Sequence, residues 1–141
     1  MRILGLDVGS KRIGIAICDE MGWTAQGVKT LDRRHNGSDL REIRDIADQY
    51  GVEKIVVGLP RNMDGSIGPQ AQMVRGFVRE LREMLDIPII TWDERLSTVE
   101  ATKILIMGDL SRKERKRKVD VTAAQIILQS YLDSLARKRN S

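Results

Sequence analysis

The sequence predicts an α/β protein: a mixed five-stranded sheet in the order 3-2-1-4-5, flanked by about four helices. Three observations carry this. Residues 3–16 place two short apolar runs around a tight polar turn containing Gly9, which reads as a β-hairpin. Lys54 to Leu59 contains the continuous apolar run Ile-Val-Val-Gly-Leu, the pattern of a strand buried on both faces in a parallel sheet. Between and after these runs, apolar residues recur at helical spacing. The resulting order is βββαβαβα with a final helix. Right-handed β-α-β crossovers make the later strands parallel, and the first strand sits centrally.

Each element has its own signals. Residues 2–8 and 12–19 form the hairpin, and a third strand is expected over Trp23 to Thr30. Asp32 to Gly37 is polar and turn-like and holds the one histidine, His35, with no Cys or second His near it. His35 reads as a surface loop residue. Ser38 is placed to cap a helix carrying Leu40, Ile43, Ile46, Ala47 and Tyr50, and Gly51 stops it. Pro60 ends the fourth strand, and Arg61 to Pro69 is a turn-rich loop. From Gln70, the stripe Met73, Val74, Phe77, Val78, Leu81, Met84 and Leu85 predicts a second helix. Pro88 to Trp92 is the fifth strand. Ser97-Thr98-Val99-Glu100 reads as a capping box, so a helix is expected from near Leu96 to Gly108. A basic segment follows, and the last helix is expected from about Val119 to Arg137.

At 141 residues, 41% hydrophobic and 31% charged, the chain is expected to be one soluble domain spanning 1–141. No apolar run approaches the ~20 residues of a membrane span, and the N-terminus reads as a strand rather than a signal peptide. Cys18, the single cysteine, can form no internal disulfide, so the expected compartment is the cytoplasm. The net charge of +4 is unevenly distributed. Arg112 to Lys118 holds six basic residues and one Glu, and Arg137 to Arg139 adds three more, so the rest of the chain is net acidic. Such patches suit a polyanion, though solvated loops and tails carry them too. Aromatic content of 4% argues for backbone contacts over base stacking.

Asp7 is the anomaly of the first strand. A lone Asp before a Gly more often starts a turn. Two further carboxylates alter that reading. Glu94 follows the fifth strand at the same sheet end, with Asp93 and Glu100 as competing helix caps. Asp120 is expected to begin the final helix, heading a stripe of Ala124, Ile127, Tyr131 and Leu135 that faces the sheet. Three carboxylates brought together repel unless a cation neutralises them, and a hard divalent ion such as Mg²⁺ does so. Paired ions of this kind hydrolyse phosphodiesters. Lys11, Arg12 and Arg95 adjoin the acids and are candidates to contact the scissile phosphate. Arg61 and Asn62 are candidates to bind further along the backbone, and Arg112, Lys113, Arg115, Lys116, Arg117 and Lys118 to hold the polyanion.

Four motifs resemble, in order, those of the YqgF family: Leu4-Gly-Leu-Asp-Val-Gly-Ser-Lys-Arg-Ile-Gly14, Val57-Gly-Leu-Pro-Arg-Asn-Met-Asp-Gly-Ser66, Asp93-Glu-Arg-Leu-Ser-Thr98 and Val119-Asp-Val-Thr-Ala-Ala-Gln-Ile-Ile-Leu128. The resemblance spans essentially the whole chain. It implies a ribonuclease H-like fold and Mg²⁺- or Mn²⁺-dependent phosphodiester hydrolysis, on precursor 16S ribosomal RNA ahead of branched DNA. It places Asp7, Glu94 and Asp120 on the family's acidic positions. One departure stands out: the fourth strand ends Gly58-Leu59-Pro60, without the acid that related nucleases usually carry there. Two other classes stay open. Asp-x-Gly-Ser-x-x-x-Gly also resembles the phosphate loop of sugar kinases and actin-like ATPases, which need a second domain. A non-catalytic RNA-binding or transcription-associated module would use the basic segment alone. A junction resolvase should be a homodimer, whereas a processing ribonuclease can be a monomer.

Overall fold

The structure, a computed structural model, describes residues 1–106 and 112–140, with side chains at all of these except 100, 106 and 112–115. Five strands, β1 (Ile3–Val8), β2 (Arg12–Cys18), β3 (Ala25–Asp32), β4 (Lys54–Leu59) and β5 (Ile89–Asp93), form one sheet in the order β3-β2-β1-β4-β5. The order matches the expectation. β1 pairs antiparallel with β2 and parallel with β4, and β4 pairs parallel with β5. The C-terminal ends of β1, β4 and β5 therefore share one rim, and the connections diverge between β1 and β4, where open α/β sheets bind ligands.

Alternation along the strands sorts the side chains into two cores. Leu4, Leu6 and Val8 of β1 join Ile55, Val57 and Leu59 of β4 beneath α1 (Ser38–Tyr50) and α2 (Pro69–Met84), which contribute Ile43, Ile46, Val74, Phe77 and Leu81. Ile3, Ala16 and Val56 face the other way, against Val99 of α3 (Val99–Ile106) and Ala124, Ile127 and Leu128 of α4 (Arg112–Arg139). On this second face glycines let α4 lie close. A Cβ on Gly5 would sit 2.7 Å from Leu128 Cβ, one on Gly14 would overlap the Asp120 carbonyl, and one on Gly58 would overlap Ile127.

Several boundaries differ from those expected, each for a physical reason. β3 starts at Ala25 rather than Trp23 because the Asp19 carboxylate accepts from the Trp23 and Thr24 amides, winding 19–24 into a loop that leaves Trp23 exposed. The N-cap of α1 is Gly37, at φ +86°, and Ser38 is already helical and makes no capping bond. At the other end Gly51, at φ +63°, closes α1 as expected, donating to the Ala47 carbonyl. After β5, Glu94–Leu96 form a single 3-10 turn and α3 begins only at Val99. Its expected end, Gly108, lies outside the described residues. The largest correction is α4, which begins at Arg112 rather than near Val119. Lys and Arg are good helix formers, so the basic segment is part of the helix rather than a stretch preceding it. Asp120 thus lies inside the helix and is not a cap. Among the described residues no helix is long and apolar enough to cross a membrane.

Candidate active site

Asp7, next to last in β1, faces α4 and sits opposite Gly14 in the β1–β2 ladder. Because Gly14 has no side chain, the backbone of Asp120 rests directly on it. The same glycine thus pairs with one acid and seats the other. Both line a cleft of about 230 Å³, with the hairpin turn Val8–Arg12, Gln70 of α2 and Lys103 of α3. Each acid faces a cation: Lys103 Nζ is 3.7 Å from Asp7 Oδ2, and Arg12 Nε donates to Asp120 Oδ2 at 2.7 Å. Lys11 lies exposed on the cleft wall.

Glu94 is buried, at 6% exposure. Its Cγ lies 3.2 Å from the point where a Gly58 Cβ would stand, so the glycine at the end of β4 makes room for it. Glu94 occupies the same rim and the same face as Asp7, two strands over at the end of β5, but does not line the cleft that Asp7 and Asp120 share. Among the described residues no group of three or more His, Cys, Asp or Glu side chains is gathered to hold a metal ion. The chemistry of the donors still suits a hard divalent cation, since Mg²⁺ is usually held by one or two carboxylates, with water and substrate phosphates completing its shell.

The other candidate residues divide by what they touch. Arg95 points away from the cleft. Its guanidinium forks onto Asp93 at 2.7–3.1 Å and reaches the Met63 carbonyl at 3.3 Å, tying the 3-10 turn to the 61–68 loop. The Arg95 hydrogen bonds hold the Asp93 carboxyl below the usual carboxylate range and raise the Arg95 value in turn. Asp93 also accepts from the Arg95 amide and so caps the 3-10 turn; the side chain of Glu100, expected in the capping box of the next helix, lies outside the described residues. Asn62 is spent on its own loop, bonding Ser66 through Nδ2 and its backbone amide. Arg61 is exposed beside it. Arg117 and Lys118 line a groove of about 590 Å³ with Lys29, Thr30 and Gln125, directly beyond Asp120 on α4. Lys116 is half-buried on the same helix. The side chains of Arg112, Lys113 and Arg115 lie outside the described residues.

Three contributors escaped the sequence reading. Lys103 and Gln70 sit in helices whose sequences carry no local mark of a site residue. Arg33 looked like part of a polar turn, yet it braces the site. Its side chain is only 10% exposed, and its guanidinium donates to the Gly9 carbonyl at 3.2 Å, pairs with buried Asp39 at 3.3 Å and stacks 5.0 Å from the Phe77 centroid. Its amide also bonds the Lys11 carbonyl at 2.8 Å, so both ends of Arg33 hold the hairpin turn.

The chain is similar to known proteins over nearly its whole length. A protein of Clostridium tetani named "Putative pre-16S rRNA nuclease" is 56% identical over 98% of this chain and 100% of its own length. One of the same name from Moorella thermoacetica is 52% identical over 97% and 98%. Among solved structures, Thermus thermophilus RuvC bound to a Holliday junction substrate aligns with a TM-score of 0.59 at 16% identity, covering 96% of each chain. The fowlpox virus Holliday junction resolvase aligns at 0.52 and 16% identity, over 95% of this chain and 99% of that one. These two likenesses concern the fold, which is the ribonuclease H-like arrangement. The family model described as "RuvX: Holliday junction resolvase" matches residues 1–134, and the chain belongs to that family.

Proposed function

We propose that this protein is a cytoplasmic, single-domain endonuclease that hydrolyses phosphodiester bonds in structured RNA, acting in 5′-end maturation of precursor 16S ribosomal RNA. The observation that carries the reading is the cleft at the β1–β2 turn, where Asp7 and Asp120 stand together with Lys11, Arg12 and Lys103. Near-full-length relatives named for this RNA support the choice of substrate.

The chemistry is assigned to a divalent metal, Mg²⁺ or Mn²⁺, with Asp7 and Asp120 as its holders and Glu94 as the neighbouring acid. Such an ion, when bound, supplies an activated water and stabilises the leaving oxygen. The chain's own residues do the rest. Lys11, at the mouth, meets the incoming phosphate. Arg12 and Lys103 are close enough to exchange a carboxylate partner for a phosphate oxygen, which suits guanidinium and ammonium donors alike. Arg33 fixes the turn that presents Lys11 and Arg12. Arg117 and Lys118 hold the polyanion beyond Asp120.

Asp7→Asn tests this. Cleavage of a precursor 16S 5′ fragment in Mg²⁺ should fall by about 100-fold or more, with RNA affinity and melting temperature little changed. Wild-type cleavage by the variant would refute the role of Asp7. A second reading, resolution of four-way DNA junctions, is favoured by the description of the family model. It replaces the first if the protein cuts a junction and not the RNA, and it requires a homodimer, because two symmetric strands must be cut. RNA binding with no metal-dependent cleavage of either substrate would leave a non-catalytic binding module.

A further inference from the structure

We infer that the arginine-lined groove between α2 and β5 binds the sugar-phosphate backbone of the nucleic acid on which the cleft acts, extending the contact beyond the cleft. The inference rests on the reading that the substrate is a nucleic acid. The groove measures about 420 Å³ and is lined by Arg61, Arg75, Arg79 and Arg82, with Leu59 and Thr91 among the remainder and, among the described residues, no acidic one. Arg75, Arg79 and Arg82 follow at spacings of four and three, so one face of α2 presents all three. Like charges so spaced weaken a helix, and an anion laid along them relieves the repulsion. Arg82 is anchored, donating twice to the Ile89 carbonyl at 2.7 and 3.1 Å. Arg75 and Arg79 are exposed and, among the described residues, make no hydrogen bond or ion pair.

The location fits a continuing strand. Leu59 and Arg61 lie at the C-terminal end of β4, on the rim that carries Asp7 and Glu94, but the groove opens on the α2 face. A backbone leaving the cleft over this rim would enter it. Guanidinium forks match phosphate oxygens two at a time, and the described lining residues include no aromatic side chain on which bases could stack. Contacts of this kind position a strand without reading its sequence.

The test is binding without cleavage. A fluorescein-labelled RNA hairpin with a single-stranded extension is titrated in EDTA, by anisotropy, from 50 to 200 mM KCl. Arg75→Gln/Arg79→Gln is compared with wild type and with Arg41→Gln/Arg44→Gln, which removes equal charge from α1. Losing two phosphate contacts should reduce the slope of log affinity against log salt by roughly 1.4–1.8. Between 200 and 50 mM the wild type should then gain about 7- to 12-fold more affinity than the groove variant. A groove variant matching wild type, or shifting no more than the α1 control, overturns the inference. Should the double variant melt early, Arg79→Gln alone is expected to give about half the slope change, and an unchanged slope there is equally fatal. A wild-type protein that binds but cuts nothing in Mg²⁺ sinks the nuclease reading while leaving the groove to be judged by its slope. No binding by wild type at 50 mM overturns both.

Discussion

Replacing Gly14 with Ala should cost far more than one methyl group suggests. The added Cβ would overlap the Asp120 carbonyl oxygen and carbon and stand 3.0 Å from the Val121 amide nitrogen. These are backbone atoms of a long helix, so no rotamer change relieves the overlap. α4 must retreat by about 1 Å, opening the tight packing of Ala124, Ile127 and Leu128 on the sheet. Overpacking typically costs 1–3 kcal/mol, and a backbone-on-backbone clash belongs at the upper end, about 3 kcal/mol. For a chain of this size that is a fall of roughly 10 °C in melting temperature. The retreat also carries Asp120 away from the cleft, and a 1 Å misplacement can cost about 100-fold in rate. Gly76→Ala is the matched control. It lies within α2 with nothing within 4 Å of the new Cβ, so helix propensity alone acts and should stabilise by up to about 1 kcal/mol. Urea melts of the two variants, with cleavage measured on each, decide the matter. Gly14→Ala within about 0.5 kcal/mol of wild type would refute the close seating of α4.

Arg33→Ala should destabilise by about 3–5 kcal/mol, because it strands the buried carboxylate of Asp39. Replacing both partners with Leu should restore most of that stability in a chemical melt but not the cleavage rate, since the brace on Gly9 is gone. The Asp93–Arg95 pair gives a pH signature. The folded Asp93 carboxyl is held below its unfolded value, so its stabilisation is present above the unfolded value and is lost as pH falls through the folded one. Asp93→Asn should therefore cost up to about 1 kcal/mol at pH 7, a difference that shrinks below about pH 4. Equal urea midpoints at pH 7 would remove the pair from the account. Reversing Arg117 and Lys118 to Glu should weaken RNA binding steeply at low salt and by much less above about 0.5 M, where screening flattens the difference. A salt-independent loss would point to misfolding instead.

The strand order was legible because each strand announced itself separately: alternation around the hairpin, a continuous apolar run in β4, and helical spacing between. Asp7 was legible as a carboxylate out of place. The early start of α4 was not, because residues 112–118 contain no apolar residue and periodicity is the signal that marks a helix. Placing Asp120 at a helix start followed from that omission. Lys103 and Gln70 carry no local mark, since only the packing of α2 and α3 on the sheet brings them to the cleft. The Arg33–Asp39 pair joins residues six apart through a turn whose path no pattern encodes. The arginines of α2 were not read from the sequence, because their meaning depends on β4 ending beside them. Glu94 was placed correctly on the rim, while its burial over Gly58 depends on a contact between neighbouring strands.

The unbroken course of α4 ties gripping to geometry. The helix runs 28 residues, about 42 Å, with Lys116 to Lys118 on the turn just before Asp120. No hinge separates the charges from the acid, and the helix touches down on the sheet at Gly14. Under the proposed function it would act as a stiff lever whose fulcrum is a glycine: tension applied by a bound strand at the basic end would be delivered to the carboxylate rather than absorbed on the way.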